Sequence, residues 1–278
     1  MEGVGRRADT LLIQGRRLVA ISQCAPLSAI VDMMPSILVA HGALGSAAQM
    51  QPIAHALRDL AGSLGDEPIA VEVLEFPGHG STALADGMHF SLPDFVNAMA
   101  TAVSRYASPP FLFGYSMGGY VGLALEARAP GTFAGILTLG TKFTWDSATT
   151  EREASRLDPV IVAGKVPRFA AVLAARHEGA GGWETVMVRT AALLRANGRQ
   201  PLLSLDVLER IGIPVTVAVG SKDDTVTIGE AEAAAGVMLQ ARCVVLDDVV
   251  HPIERVPVER VVELIRDMLT ERGPAITV

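Results

Sequence analysis

Apolar positions along this chain follow two alternating rhythms. Six short, nearly continuous hydrophobic runs are PSILVA, PIAVEVLEF, PPFLFG, FAGILTLG, IPVTVAVG and ARCVVLDD, and each ends at glycine, proline or a polar residue. Runs of that length predict strands covered on both faces. Ahead of them, TLLIQG and RLVAISQCA predict a short opening hairpin turned at Gly15. Between the runs the spacing becomes helical. One predicted helix is capped by Ser46, passes Leu57 and Leu60, and ends around Gly62 to Gly65. A second opens at Ser91, with Asp94 three residues on as a capping signal, and continues through Tyr106. Further helices are expected over Ser116 to Ala129, stopped by Pro130, near Gly229 to Leu239, and over Val256 to Thr270.

The rhythm breaks from about Thr141 to Ile211. Helical patterns around Glu151 to Leu157, Val166 to Arg176 and Trp183 to Ala196 are punctuated there by Pro159, Pro167, Gly179, Gly181, Gly182 and Pro201. Strands alternating with helices predict an α/β fold, with a mainly parallel sheet and helices on both faces. Residues 1–140 and 212–278 would form this core. Residues 141–211 would be a helical cap inserted over one edge.

Ligands of such sheets bind beyond the carboxyl ends of the strands, so the residues just past each run matter most. HGALGS follows the first run, PGHGS the second, a serine turn the third, SKDDTV the fifth and VVHPIERVP the sixth. The serine turn is GYSMGG, with Gly114, Ser116 and Gly118 in Gly-x-Ser-x-Gly spacing between a buried strand and a helix. A strained strand-to-helix turn of this kind lifts the hydroxyl clear of the backbone, and bulky neighbours would collide there. The backbone N–H of Met117 would face the oxygen that becomes negative during attack.

A serine hydroxyl needs a base to take its proton. Of the six histidines, His251 follows the last strand, where a loop can swing an imidazole over Ser116. His41 and His79 read as structural or loop-bracing residues, and His55 and His89 as surface or packing residues. His177 in the inserted block is a lesser candidate for the pocket wall. Asp223, in the loop after the penultimate strand, is the candidate partner that holds the base in one tautomer. Asp224, Asp247 and Asp248 read as solvated turn residues.

These segments together resemble the α/β-hydrolase superfamily over almost the whole chain, as a small capped serine hydrolase. HGALGS resembles its oxyanion loop, FPGHGS the turn that follows, GYSMGG the nucleophile elbow, and GSKDDTV the loop carrying the acid. VVHPIERVP resembles the histidine loop, with His251, Glu254 and Pro257 in the His-x-x-Glu-x-x-Pro pattern. The resemblance implies that Ala43 donates the second oxyanion N–H, and that the 141–211 block is the family's cap. Serine in the elbow, rather than aspartate, turns the comparison away from the epoxide-hydrolase and dehalogenase branches. Tyr120 stands where the pyruvate-eliminating enzyme of menaquinone synthesis has an arginine, and Val250 stands where many relatives have glycine.

The expected activity is hydrolysis of an ester or thioester of a small, mostly apolar substrate through an acyl-enzyme on Ser116. The same triad could instead hydrolyse a carbon–carbon bond or act as a non-hydrolytic lyase. A third reading is a ligand receptor that kept the fold. Substrate contacts are expected from Leu44, Trp145 and Trp183, with Phe143 and Phe169 as further cap aromatics.

Composition narrows the partners. Half of the 278 residues are hydrophobic and 19% are charged, enough apolar material for a large core. A net charge of −7 with no block of like charge argues against nucleic acid or an anionic membrane as a main partner. A small-molecule substrate is therefore expected, with the oligomeric state left open. No His/Cys cluster has ligand spacing and no glycine loop has phosphate-binding spacing, so no metal or cofactor is expected. Cys24 and Cys243 lie in apolar runs and read as buried thiols. The opening MEGVGRRADTLLIQGRR lacks the apolar core of a signal peptide, and no uncharged run approaches the roughly 20 residues that span a bilayer. A cytoplasmic location is the expectation.

Overall fold

A computed structural model describes residues 35–60 and 69–270. The predicted opening hairpin and Cys24 lie outside the described residues. Within them, six strands form one parallel sheet: β1 (Ser36–Ala40), β2 (Ala70–Leu74), β3 (Phe111–Tyr115), β4 (Gly135–Leu139), β5 (Val215–Gly220) and β6 (Ala241–Leu246), in the order β2-β1-β3-β4-β5-β6. Every neighbouring pair is parallel.

The central strands bury both faces, as their unbroken apolar runs require, and successive residues divide between two cores. Leu38, Leu112, Ile136 and Val217 pack on one face against α2 (Leu92–Val103), α3 (Met117–Arg128) and α9 (Ile228–Val237). Ile37, Val39, Phe113 and Leu137 pack on the other against α1 (Ala47–Asp59) and α10 (Val258–Thr270). The predicted caps form. Ser46 Oγ accepts Gln49 N–H at 3.4 Å, and Ser91 Oγ accepts Asp94 N–H at 3.3 Å while donating to Asp94 Oδ2 at 2.7 Å.

Two strands differ from the reading of full burial. β2 and β6 are the sheet's edges, and most of their residues are only half-buried. An edge strand has one neighbour, so a carboxylate inside it can reach water and partners. Glu72 does so, accepting from Tyr106 O–H at 3.1 Å and pairing with Arg105. Cys243, on β6, is correspondingly a half-buried free thiol rather than a fully buried one.

Five α-helices lie between β4 and β5 in the chain: α4 (Ser147–Ser155), α5 (Pro159–Lys165), α6 (Pro167–Arg176), α7 (Trp183–Arg199) and α8 (Leu205–Leu208). β4 and β5 are neighbours in the sheet's interior. The block therefore leaves from the middle of the sheet and not over one edge, as the chain pattern alone suggested. Helix α5 is absent from that pattern because Pro159 reads as a break. It is instead the first helical residue, where its missing N–H costs nothing. Asp158 Oδ1 caps the turn by accepting Val160 N–H at 2.8 Å and Ile161 N–H at 3.1 Å. No described helix is long and apolar enough to cross a membrane.

One buried charge fixes the turn between α3 and β4. Glu126 is 1% exposed, and its two oxygens accept Gly131 N–H at 2.7 Å and Phe133 N–H at 3.0 Å. Replacing it by leucine strands both donors, each at a cost of about 1–3 kcal/mol. Glu126→Leu is expected to lower the unfolding free energy by several kcal/mol in a denaturant titration, whereas Glu126→Gln, which keeps one acceptor, loses less.

Candidate active site

Parallel register brings the carboxyl ends of the strands to one side of the sheet. Ala40 stands beside Gly114, Tyr115 beside Leu139, Leu139 beside Ala218, and Gly220 beside Leu246. The loops after β1, β3, β5 and β6 therefore emerge together. The strand order also reverses between β1 and β3, since their following helices α1 and α3 lie on opposite faces. That reversal opens the crevice where ligands of such sheets bind.

Ser116 stands at this switch point. It has φ 50° and ψ −112°, a left-handed conformation that a non-glycine residue adopts only under strain. Its N–H donates to Leu139 C=O at 2.8 Å, and its C=O accepts the Thr141 hydroxyl at 2.9 Å. The flanking glycines are required by close approach. A Cβ on Gly114 would lie 2.5 Å from the Gly119 backbone, one on Gly118 would lie 2.5 Å from Ala40 O, and one on Gly42 would lie 2.9 Å from the Tyr115 ring. The two predicted polar partners meet as well. His251 Nδ1–H donates to Asp223 Oδ2 at 2.8 Å, and Asp223, its side chain 2% exposed, uses Oδ1 to accept Thr225 N–H at 2.8 Å and Val226 N–H at 2.9 Å.

Three hydrogen bonds thus aim that carboxylate, which leaves Nε2 as the ring nitrogen that Asp223 does not use. Tyr115 O–H donates to His251 C=O at 2.9 Å and steadies the loop, and burial raises the pKa of this phenol. Gly140, at φ 63°, lies directly beneath the pair, where a Cβ would come within 3.1 Å of the ring and 3.2 Å of Asp223 Oδ2.

Ser116 and His251 line one cavity of about 420 Å³ with Ala43 and Met117. Ser116 makes no side-chain hydrogen bond at the start of α3. Met117 opens that helix, so its N–H has no acceptor within it. Of the expected substrate contacts, Leu44 and Trp145 line the cavity, as does Phe169. Trp183 does not. It is 8% exposed and packs with Val162, Leu173 and Met187 inside the helical block, because the first residue of α7 faces its own neighbours rather than the sheet. Phe143 is likewise buried in the main core.

Several wall residues had no sequence signal. Lys142 is 8% exposed, donates to Thr225 C=O at 3.0 Å and pairs with Glu230 at 3.3 Å. Arg176, on α6, donates through Nη1 to Leu44 C=O at 2.9 Å and through Nη2 to Glu254 Oε1 at 2.8 Å, where Gln49 Nε2 also donates at 2.7 Å. His177 next to it is fully buried. It accepts Gly80 N–H on Nδ1 at 3.0 Å, so Nε2 carries the proton and donates to Leu44 C=O at 3.0 Å. It is a clip and not part of the pocket wall. Leu44 itself has φ 57°. Two side chains of the helical block therefore hold the carbonyl of a strained residue immediately after Ala43. Only the folded contact reveals this, because nothing marks an arginine or histidine on a helix as the partner of a distant carbonyl.

His41 and His79 are the structural residues expected. His41 Nδ1–H donates to Gly42 C=O at 2.8 Å and Nε2 accepts Phe76 N–H at 3.1 Å. His79 stacks on Phe90 at 4.8 Å, with the rings of His41 at 5.1 Å and His177 at 6.0 Å. Burial, then the neighbouring imidazoles His41 and His177, hold the His79 pKa well below the ordinary histidine value. Burial is the main cause of the lowered value at His177. Among the described residues no group of three or more His, Cys, Asp or Glu could hold a metal ion.

The sequence model of the Alpha/beta hydrolase family matches residues 37–264. No curated protein matches the sequence. Among solved structures, the chain is similar to a thermophilic esterase from Thermogutta terrifontis, at 21% identity and TM-score 0.65, over 85% of this chain and 90% of that one. It is also similar to NosK from Streptomyces actuosus, at 20% identity and TM-score 0.69, over 86% and 98% of the two chains. The thioesterase domain from the curacin biosynthetic pathway aligns at 18% identity and TM-score 0.59, over 84% and 92%. Identities at this level establish the shared fold.

Two outcomes follow from the geometry. His79 and His177 are kept neutral by burial, so below about pH 6.5, the ordinary histidine value, the unfolded chain binds more protons than the folded one. Stability is then fully present above that pH and falls as pH drops. The unfolding midpoint is expected to decline between pH 7 and 5.5, and His79→Phe, which keeps the ring packing, should flatten that decline. Gly140→Ala is expected to leave a folded protein by circular dichroism but to displace His251 from Asp223, read as loss of the low-field His Nδ1 proton resonance.

Proposed function

The chain belongs to the alpha/beta hydrolase family, and on that premise we propose that it is a serine hydrolase cleaving an ester or thioester of a small, mostly apolar substrate. The observation that carries this reading is the Asp223–His251 hydrogen bond of 2.8 Å in one cavity with the strained Ser116 turn.

In the proposed cycle, His251 Nε2 removes the Ser116 proton as Oγ attacks the acyl carbon. Asp223 stabilises the imidazolium so formed, and holds Nδ1–H away from the reacting atoms. Negative charge collects on the former carbonyl oxygen. The N–H groups of Ala43 and Met117 are preorganised for it, each worth about 2.7–4 kcal/mol in comparable sites. Collapse expels the alcohol or thiol, protonated by His251, and leaves an acyl ester on Ser116. Water, deprotonated by the same nitrogen, attacks that ester. A second collapse returns the proton to Oγ and releases the acid.

The cavity suits such a substrate. Leu92, Leu157, Leu193 and Leu194, with Trp145 and Phe169, give it an apolar wall. The Arg176 and His177 bonds to Leu44 C=O hold the oxyanion loop in its strained form while the cap is seated.

The test is a rapid-mixing experiment with an activated p-nitrophenyl ester and intact-mass detection. A stoichiometric burst and an acyl adduct are expected, both abolished by Ser116→Ala, with kcat falling at least about 10³-fold in His251→Ala. Asp223→Asn should retain the fold and lose about 10²–10⁴-fold in kcat. No burst and no adduct, in a folded protein, would move the reading to carbon–carbon cleavage or elimination by the same triad. Binding without turnover of any activated ester would leave a receptor.

A further inference from the structure

The apolar cavity wall is interrupted on its α7 side by one amide. Thr190, Leu193, Leu194 and Asn197 line the cavity at the i, i+3, i+4, i+7 spacing of a single helix face. Thr190 has used its hydroxyl proton on Val186 C=O at 2.8 Å. Asn197 is 4% exposed. Its Oδ1 accepts Tyr120 O–H at 3.1 Å and Leu202 N–H at 3.3 Å, while Tyr120 Oη accepts Leu203 N–H at 3.1 Å.

These bonds fix which amide atom is which. Leu202 N–H can only donate, and the Tyr120 hydroxyl, already accepting from Leu203, has its proton left for Asn197. The oxygen must face them, and Nδ2 is then the atom left over. It is buried and has no acceptor among the described residues. A buried donor with no acceptor is costly to keep unless something else satisfies it.

The charges around the cavity decide what would. Each cation that lines it is already held by a carboxylate: Lys142 by Glu230, Arg156 by Glu153 and Arg176 by Glu254. Lys142 and Arg176 are thereby compensated one for one, while Arg156 shares Glu153 with Arg152 and its side chain is 55% exposed to solvent. A neutral amide donor suits a neutral acceptor.

We propose that Asn197 Nδ2 forms a polar subsite for a neutral carbonyl oxygen on the acyl chain, so that the substrate is an oxo- or amido-substituted acyl ester or thioester rather than a plain alkyl one. This rests on the serine-hydrolase reading and names its substrate class. Tyr120, which carries the hydrogen-bond relay to Asn197, lies four residues beyond Ser116 on α3, roughly 6 Å along the helix at 1.5 Å per residue. The second carbonyl is thus several bonds from the scissile one. The Tyr120–Asn197 bond also ties α3 to α7, so the subsite is assembled only when the cap helix is seated.

The test uses two esters of equal chain length, p-nitrophenyl hexanoate and p-nitrophenyl 5-oxohexanoate, with native protein and Asn197→Asp. Aspartate keeps an acceptor for Tyr120 O–H and Leu202 N–H and removes the N–H donors, so a merely structural role survives the change. The readout is the ratio of kcat/KM for the two esters, which a general loss of folding or activity does not move. A ratio of about ten or more in favour of the oxo ester, falling to near one in Asn197→Asp, is expected. A ratio near one in the native protein, or one unchanged by Asn197→Asp, overturns the proposal.

In parallel, dissociation constants of both esters are measured by calorimetry on Ser116→Ala, with and without Asn197→Asp. If the native protein hydrolyses neither ester, the hydrolase reading falls. The subsite then still stands on tighter binding of the oxo ester that Asn197→Asp removes, and falls if the two bind alike.

Discussion

The left-handed turn at Ser116 is the constraint on which the rest of the site depends. A side chain held there costs on the order of 1–3 kcal/mol, so the surroundings must leave the chain no relaxed alternative. They do this by proximity. Gly114 lies against the backbone of Gly119, Gly118 against Ala40, and Gly42 against Tyr115, while hydrogen bonds to Leu139 and from Thr141 fasten the peptide groups on either side of Ser116. Each glycine is a place where strand, helix and loop approach more closely than any side chain allows. The turn therefore exists only because β1, β3 and β4 pair in one register.

The same economy of space governs Asp223 and His251. Asp223 accepts two backbone N–H groups on one oxygen and His251 on the other, so the carboxylate has no freedom to turn away. Gly140 gives the pair room, and Tyr115 anchors the histidine loop by its main chain. None of these contacts touches a substrate. They reduce the number of arrangements the imidazole can take, which is how a fold contributes to reactivity before a ligand arrives.

The helical block does more than roof the cavity. Arg176 and His177 converge on Leu44 C=O, and Glu254 joins the Arg176 side chain to the histidine loop. The loop after β1, the helical block and the loop after β6 thus share one set of polar contacts. Tyr120 and Asn197 form a second connection, from α3 to α7 of the helical block. Contacts of this kind couple the position of the helical block to the placement of Leu44 and the loop carrying His251.

Sequence by itself determined the alternation of strands and helices, the caps at Ser46 and Ser91, the glycine-bordered serine turn and the candidates at Asp223 and His251. Each of these is a local statement: a run of apolar residues, a capping oxygen, a glycine where a Cβ cannot fit, a polar residue just past a strand. The edge character of β2 and β6, the exit of the helical block from the sheet's interior, and the burial of Trp183 within that block were decided by tertiary structure. So were the roles of Arg176, His177, Lys142 and Asn197. Apart from the bond of Asn197 to Leu202, their partners lie from 77 to 133 residues away in the chain, and an arginine on an amphipathic helix reads the same whether it faces water or a carbonyl. Local propensity is set by near neighbours along the chain, whereas the pairing of a distant donor with a distant acceptor is set by the geometry of packing, which exists only once the sheet and its helices have come together.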